Sequence, residues 1–386
     1  MKHTYAVWVA VAVVVVGAVW YFQSRSGGPG AAGGDAISEE EAVQKVVAGA
    51  SPVAPLLASA MLEAVAAADK EAGYVRAPEL AAPAEFLNST PFTLADALGK
   101  KVILLNFWTY SCINCIRTLP YLNAWYEKYR AQGLEVVGVH TPKFEFEKEK
   151  SNVETARARY GITYPVVLDN SRGTWDAYAN LYWPHAYVID PAGYIVHERI
   201  GEGGYEETEA VIQKLLEVRA IAVGAPVPTS TPHVAVAGDA SESGNPETYF
   251  GSARNEFLGN GTKGAPGAQT FVLPAQTLRN KLYLGGAWDV RGEYAAATAA
   301  KAKILYKYEG KKVFFVGRSQ SGVSVQVLQD GKPVSAAAGS DVKGGAVRIG
   351  EGRIYELVSN PGSAGEHTLE LIIESPGLEA YTLTFG

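Results

Sequence analysis

Residues 101–108 read KVILLNFW, apolar apart from Lys101 and Asn106. A half-exposed strand alternates apolar with polar side chains, so a run of this kind marks a strand covered on both faces. The covering helices follow in the sequence. Residues 112–132 read as a helix, LEVVGVHT (134–141) as a second strand and EKEKSNVETARARYG (147–161) as an amphipathic helix. PVVLD (165–169) is a short strand, and AYVIDPAGYIVHERI (186–200) predicts two strands joined at Asp190-Pro191-Ala192-Gly193, a turn by composition. YEETEAVIQKLLEV (205–218) closes the segment as a helix. Such alternation predicts an α/β domain over residues 76–222, a mixed sheet with flanking helices.

The rhythm then changes. Residues 223–245 form a linker rich in Pro, Ser and Gly, and beyond it short alternating strands are separated by turn signals. Two of those signals are Glu309-Gly310, between KAKILYKYE and KKVFFVG, and Asp330-Gly331, between VSVQVLQ and KPV. GRIYELV, HTLELIIES and AYTLTF continue the pattern. Residues 246–386 are therefore expected to form an all-β, jelly-roll-like sandwich. With 386 residues, two or three domains are expected at about 150 residues each.

Ahead of the α/β segment, residues 5–22 carry no charge and have aromatic rings toward both ends, as expected of a single transmembrane helix. The bulky VWYFQS that follows argues against a signal-peptide cleavage site, which needs small residues. Residues 1–25 are thus expected to be a cytoplasmic tip and membrane anchor, with Lys2 on the cytoplasmic side. Residues 26–75 begin as a flexible Gly-rich spacer and continue Ala-rich, with Pro52 and Pro55 expected to split them into two short helices. The bulk of the chain would then be periplasmic or extracytoplasmic, where disulfide chemistry is possible. A net charge of −6, from 34 basic and 40 acidic residues, argues against nonspecific nucleic-acid binding.

Only two cysteines occur, Cys112 and Cys115, and they follow the buried strand at the opening of a helix. Free backbone N–H groups at a helix start favour an anion, so Cys112 is expected to be thiolate-rich. A spacing of three puts both sulfurs within one turn. A disulfide closing so short a loop stabilises little, which suits redox exchange: Cys112 attacks and Cys115 resolves. Three other readings compete: half of a zinc site, an inert structural disulfide, and a peroxidase using Cys112. No metal ligand set and no organic cofactor are implied.

NFWTYSCINCIRTLP (106–120) resembles the active-site segment of the thioredoxin superfamily in its membrane-tethered TlpA/ResA-like branch. It is more similar still to the carboxy-terminal part of DipZ-type proteins, which join a thioredoxin-like domain to a β-sandwich. Residues 77–108, 161–190 and 200–216 share the resemblance, which runs from about residue 76 to 386. It implies a thiol-disulfide oxidoreductase acting on protein disulfides, in which Trp108 is the tryptophan of the strand end and Pro120 the proline inside the helix. By the same resemblance Pro184 is the cis-proline facing the disulfide, and Trp183 offers main-chain hydrogen bonds to substrate.

There are departures from the pattern. Thioredoxin has a buried acid where this chain has Asn106, so any carboxylate assisting Cys115 must come from elsewhere; Glu145 and Glu147 are candidates, against the alternative that KFEFEKEK is a solvated charged face. DipZ-type proteins carry a multi-helix electron-transporting membrane part, so a separate membrane electron donor of the thiol-transporting type is implied here. Peroxiredoxins also resemble this region, but Leu105 stands where they have proline. Isolated His140 and His185 are more simply packing residues, and Arg117 is either a thiolate-supporting or a surface residue. In the β-sandwich, Trp288, Tyr294, Tyr249 and Phe250 could stack on a glycan or could be core. The expectation is a membrane-anchored reductase of protein disulfides; the alternatives are a glycan-binding or adhesion module with a regulatory redox domain, and a thiol peroxidase.

Overall fold

The structure, a computed structural model, describes residues 54–229, 231–236, 244–362 and 364–386. The expected membrane helix and Gly-rich spacer lie outside the described residues. No described helix is long and apolar enough to cross a membrane. The described chain divides into two compact units. The first takes the residues through Thr109, Thr118–Pro142 and the described residues from Glu154 to 236; the second takes Tyr110–Arg117, Lys143–Val153 and the described residues from 244 onward.

The thioredoxin-like α/β fold takes up most of the first unit, the opening residues of two of its helices being grouped with the second. Helix α1 spans Ala54–Glu71, followed by β1 (Val75–Arg76), β2 (Glu85–Leu87) and β3 (Val102–Trp108). Helix α2 (Ile113–Tyr129) leads to β4 (Leu134–His140), α3 (Lys150–Arg159), β5 (Val166–Leu168) and α4 (Gly173–Ala177). Strands β6 (His185–Ile189) and β7 (Tyr194–Ile200) and helix α5 (Tyr205–Ala222) complete it. The sheet order is β1-β7-β6-β3-β4-β5-β2, with β3, β4 and β5 parallel and the outer pairings antiparallel.

Every residue of β3 is buried. Ile103, Leu105 and Phe107 share one core with Val137, Val139, Trp175 and Ile189, and Phe107 meets Trp175, Tyr178 and Tyr187 edge-on at 5.5 to 6.0 Å. Val102, Leu104 and Trp108 alternate to the other face. Both faces are covered, which is why the run reads as continuously apolar.

Pro55 is the second residue of α1, where its missing N–H has no helical partner in any case, and the expected helix before Pro52 lies outside the described residues. The two- and three-residue edge strands β1 and β2 are too short to leave a periodic signature. One local expectation needs correcting, in the β structure of the second unit.

That structure comprises β8 (Thr248–Tyr249), β9 (Gly267–Phe271), β10 (Leu282–Val290), β11 (Ala295–Ala297), β12 (Ala302–Gly310), β13 (Lys312–Arg318) and β14 (Val323–Gln329). It continues through β15 (Lys332–Pro333), β16 (Val342–Lys343), β17 (Ala346–Ile349), β18 (Arg353–Ser359), β19 (Gly365–Ile373) and β20 (Glu379–Phe385). The strands form a barrel-like all-β sheet ordered β16-β17-β14-β19-β12-β10-β11-β20-β13-β18. Strand β10 joins its halves: residues 282–285 pair with β12, whereas 286–290 pair with β9. The change falls at Gly285-Gly286, where Gly286 has a φ of +85°. Inner side chains of both halves make one core that includes Trp288, Tyr306, Phe315, Leu357 and Leu371.

Asp330-Gly331 is a hairpin turn. Gln329 pairs with Lys332, and both turn residues have positive φ, as a type I′ turn requires. Glu309-Gly310 is not one. There the chain leaves β12, which pairs with β10 and β19, and enters β13, which pairs with β18 and β20.

Candidate redox site

Adjacent parallel strands β3 and β4 end in register, Trp108 opposite His140. The loops leaving their carboxyl ends therefore start side by side, the usual place for a site in an open α/β sheet. The Thr141 N–H donates to the Trp108 carbonyl at 3.1 Å. From β3 the chain runs through residues 109–111 to Cys112, whose carbonyl accepts the Ile116 N–H at 3.0 Å. That bond makes Cys112 the N-cap of α2, so its sulfur sits where the helix leaves N–H groups unpaired and its dipole positive. Cys112 is 7% exposed and Cys115 fully buried. Pro120 lies inside α2.

The Cys112 thiol is held below its ordinary pKa. A hydrogen bond from Cys115 is the largest cause; burial opposes it, Lys143 supports it and Glu247 opposes it. Those charges belong to the same unit as the cysteine. Lys143, with its side chain 5% exposed, pairs with Glu247 at 3.0 Å. The Tyr249 hydroxyl donates to the other Glu247 oxygen at 2.6 Å, and the Arg254 guanidinium lies 3.5 Å from the Tyr249 ring centre.

The segment KFEFEKEK is not a solvated face throughout. Phe144, Phe146 and Glu147 are buried, and both phenylalanines pack on Tyr381 at 4.9 and 4.8 Å. Glu147 accepts hydrogen bonds from the Ser111 hydroxyl and from the Lys143 and Phe144 N–H groups at 2.5 and 3.0 Å. It ties residues 143–144 to the residue before Cys112. Glu145 is exposed and pairs with Lys148 at 2.7 Å.

The other sequence candidates fall as follows. Trp108 is completely buried and meets His140 edge-on at 5.2 Å. Trp183-Pro184 is the one cis peptide among the described residues. The Trp183 ring N–H donates to the Thr141 carbonyl at 3.0 Å, and its indole lies 4.1 Å from Trp175. His140 is fully buried and pushed down to about 3 by desolvation, so it stays neutral. His185 is buried against Asn180 and Tyr187. Arg117 lies over the Phe314 ring at 5.8 Å. In the β structure Trp288, Phe250 and Tyr249 are buried, leaving Tyr294 as the partly exposed ring of the four proposed for stacking on sugars. Asn106 is buried in β3, so no acid stands there.

Sequence reasoning missed Lys143 and Glu247. Alternation around Phe144 and Phe146 would have placed Lys143 on the exposed face with Glu145, so it misleads about the lysine. Nothing local marks Glu247.

Residues 75–198 match the AhpC/TSA family, and residues 245–386 match a family described as thioredoxin like C-terminal domain. Protein DipZ of Mycobacterium bovis is 35% identical over 313 residues, 80% of this chain and 43% of the relative. The chain thus spans less than half the length of that relative. The thiol-disulfide oxidoreductase YkuV of Bacillus subtilis is 32% identical over 139 residues, 36% of this chain and 93% of YkuV. Among solved structures, the solution structure of a thioredoxin-like protein in the oxidized form is 30% identical, covering 37% of this chain and 95% of that one, with a TM-score of 0.35.

Proposed function

The chain belongs to the thioredoxin-like thiol-disulfide oxidoreductases, in their DipZ-type branch, and from that premise we propose that it reduces protein disulfides through Cys112 and Cys115. The observation that carries this reading is the position of Cys112: a thiol of lowered pKa at a helix N-cap, hydrogen-bonded by the second cysteine. In the proposed cycle the Cys112 thiolate attacks one sulfur of a substrate disulfide. A Cys112–substrate bond forms as the substrate S–S bond breaks, and the departing sulfur leaves as a thiolate that takes up a proton. Cys115 gives up its proton and attacks Cys112, closing the intramolecular disulfide and releasing the second substrate thiol. Two electrons reach the substrate, and a dithiol donor returns them.

Pro184 and Trp183 are assigned a substrate-binding role in this chemistry and Trp108 a supporting one. Glu147 is assigned to fastening the loop, since its oxygens already serve Ser111 and two backbone N–H groups. An anchor over residues 5–22, an extracytoplasmic location and a separate membrane electron donor complete the proposal. The sequence of residues 5–22 supports the anchor. The domains are read as 76–222 and 246–386, the latter as a jelly-roll sandwich. Burial of three of its four candidate aromatics leaves a glycan ligand without support.

Insulin reduction driven by dithiothreitol tests the reading. The wild-type chain should accelerate it, Cys112→Ser should fall to the rate of dithiothreitol alone, and Cys115→Ser should accumulate a mixed disulfide. Full turnover by Cys112→Ser would overturn the proposal. Hydrogen peroxide consumption that survives Cys115→Ser would assign a thiol peroxidase instead.

A further inference from the structure

An ammonium group withdrawn from water costs several kcal/mol unless it is paired. The Lys143 side chain is 5% exposed, and its partner is a residue far downstream in the chain, Glu247 at 3.0 Å. The arrangement is fixed from both ends. On the thiol side, Glu147 holds the Lys143 and Phe144 N–H groups and the Ser111 hydroxyl together, and the Tyr110 hydroxyl donates to the Phe146 carbonyl at 3.3 Å. On the other side, Tyr249 donates to Glu247 at 2.6 Å, Arg254 covers the Tyr249 ring, and Phe144 and Phe146 pack on Tyr381.

We propose that Lys143 and Glu247 are positioning residues for the thiol chemistry: Lys143 keeps a fixed positive charge beside Cys112, and Glu247 sets how much of that charge the sulfur feels. The inference rests on the dithiol reading above and adds two residues to it, one of them supplied by the segment after the linker.

The electrostatics have the required signs. Lys143 acts on Cys112 to favour the thiolate, and Glu247 acts to oppose it. Burial pulls the lysine down, but Glu247 first and then Cys112 and Tyr249 outweigh it and hold Lys143 well above its ordinary value. The ammonium therefore keeps its proton throughout the working range and acts as a charge, not as a proton donor. Glu247 is held low, burial being outweighed by Lys143, Tyr249 and Arg254. The charged and titratable groups at this cluster include Cys112, Cys115, Lys143, Glu147, Glu247, Tyr249 and Arg254.

The test is the pH dependence of iodoacetamide alkylation at Cys112 in the reduced full-length chain, with the label located by mass spectrometry. Lys143→Met should raise the titration midpoint by about one pH unit, the usual size for loss of a neighbouring opposite charge. Glu247→Gln should lower it, and Lys143→Arg should keep the wild-type value. A merely structural role would move the first two in the same direction, so shifts of one sign, or none, overturn the proposal. If Lys143→Met does not fold because it strands Glu247, Lys143→Met/Glu247→Gln carries the test, since it must titrate above Glu247→Gln alone. Insulin turnover by the wild type separates the two readings. Turnover without opposed shifts removes only the pair, whereas opposed shifts without turnover remove only the reductase assignment.

Discussion

Asp69 of α1 and Asp190, in the turn between β6 and β7, are both buried, at 3% and 1% exposure. Burial is the largest cause pushing Asp69 up to about 8, and a hydrogen bond and repulsion from Asp190 add to it. Asp190 is also raised by burial, against hydrogen bonds from Asp69 and from the Tyr194, Gly193 and Ala192 N–H groups. Asp69 is thus the member of the pair that keeps the proton. A carboxyl whose pKa is raised on folding contributes stability below its unfolded value, near 4, and that contribution is lost as pH rises through the folded value. Stability should therefore fall from about pH 4 to about pH 8 by an amount that Asp69→Asn removes, because the amide keeps a donor without titrating. Thermal unfolding of both chains over that range checks it: the wild-type minus variant difference should decline with rising pH. A constant difference would show that Asp69 does not hold the proton. Glu209 has the opposite sign. Its carboxylate is held low, despite burial, by Tyr129, Val234 and Lys128, so its contribution is present above about pH 4.5 and lost toward acid.

At the scale of elements, what the sequence makes legible is what neighbouring residues decide among themselves. The strand over 101–108, the helix after the cysteines and the Asp330-Gly331 turn are local matters of burial, capping and positive φ, and each forms where expected. Glu309-Gly310 carries a similar turn signal, but whether two strands pair with each other is settled by the rest of the sheet. Strand β12 is held by β10 and β19, strand β13 by β18 and β20. The switch within β10 is equally nonlocal, although its Gly285-Gly286 pair is visible once its purpose is known. These glycines allow a ranked prediction. Gly331 has a φ of +77° and open space around it, so Gly331→Ala should cost only the conformational penalty, about 1 kcal/mol. Gly286 has a φ of +85°, and a Cβ there would lie 3.3 Å from the Ala302 Cα, so Gly286→Ala adds crowding of backbone to the same penalty. Urea unfolding should place Gly286→Ala below Gly331→Ala, by about 1 kcal/mol more. Equal midpoints would mean that β10 can shift away from β12 at no cost.

For the whole molecule, the candidate site divides along the same line. Cys112 and Cys115 declare themselves through spacing and position before a helix, which are local facts. Lys143 and Glu247 come together only because residues 143–153 and those after the linker belong to one compact unit, a grouping that no window of sequence contains. The charges 145–149 looked like one acidic and basic surface, yet Phe144, Phe146 and Glu147 point inward while Glu145 and Lys148 face water. One whole-chain property is nevertheless fixed by composition. With two cysteines in 386 residues, all thiol chemistry must pass through one pair, and any covalent dimer or trapped substrate must be attached at Cys112 or Cys115. Cys112 is the slightly exposed member and Cys115 is fully buried, so attachment should be at Cys112. Thiol counting in denaturant should give two per reduced chain and none after mild oxidation, with the chain still monomeric on a nonreducing gel. Cys115→Ser should instead give substrate adducts or dimers linked through Cys112. Persistence of one free thiol in the oxidised wild type, or linkage through Cys115, would break the assignment of attacking and resolving cysteines.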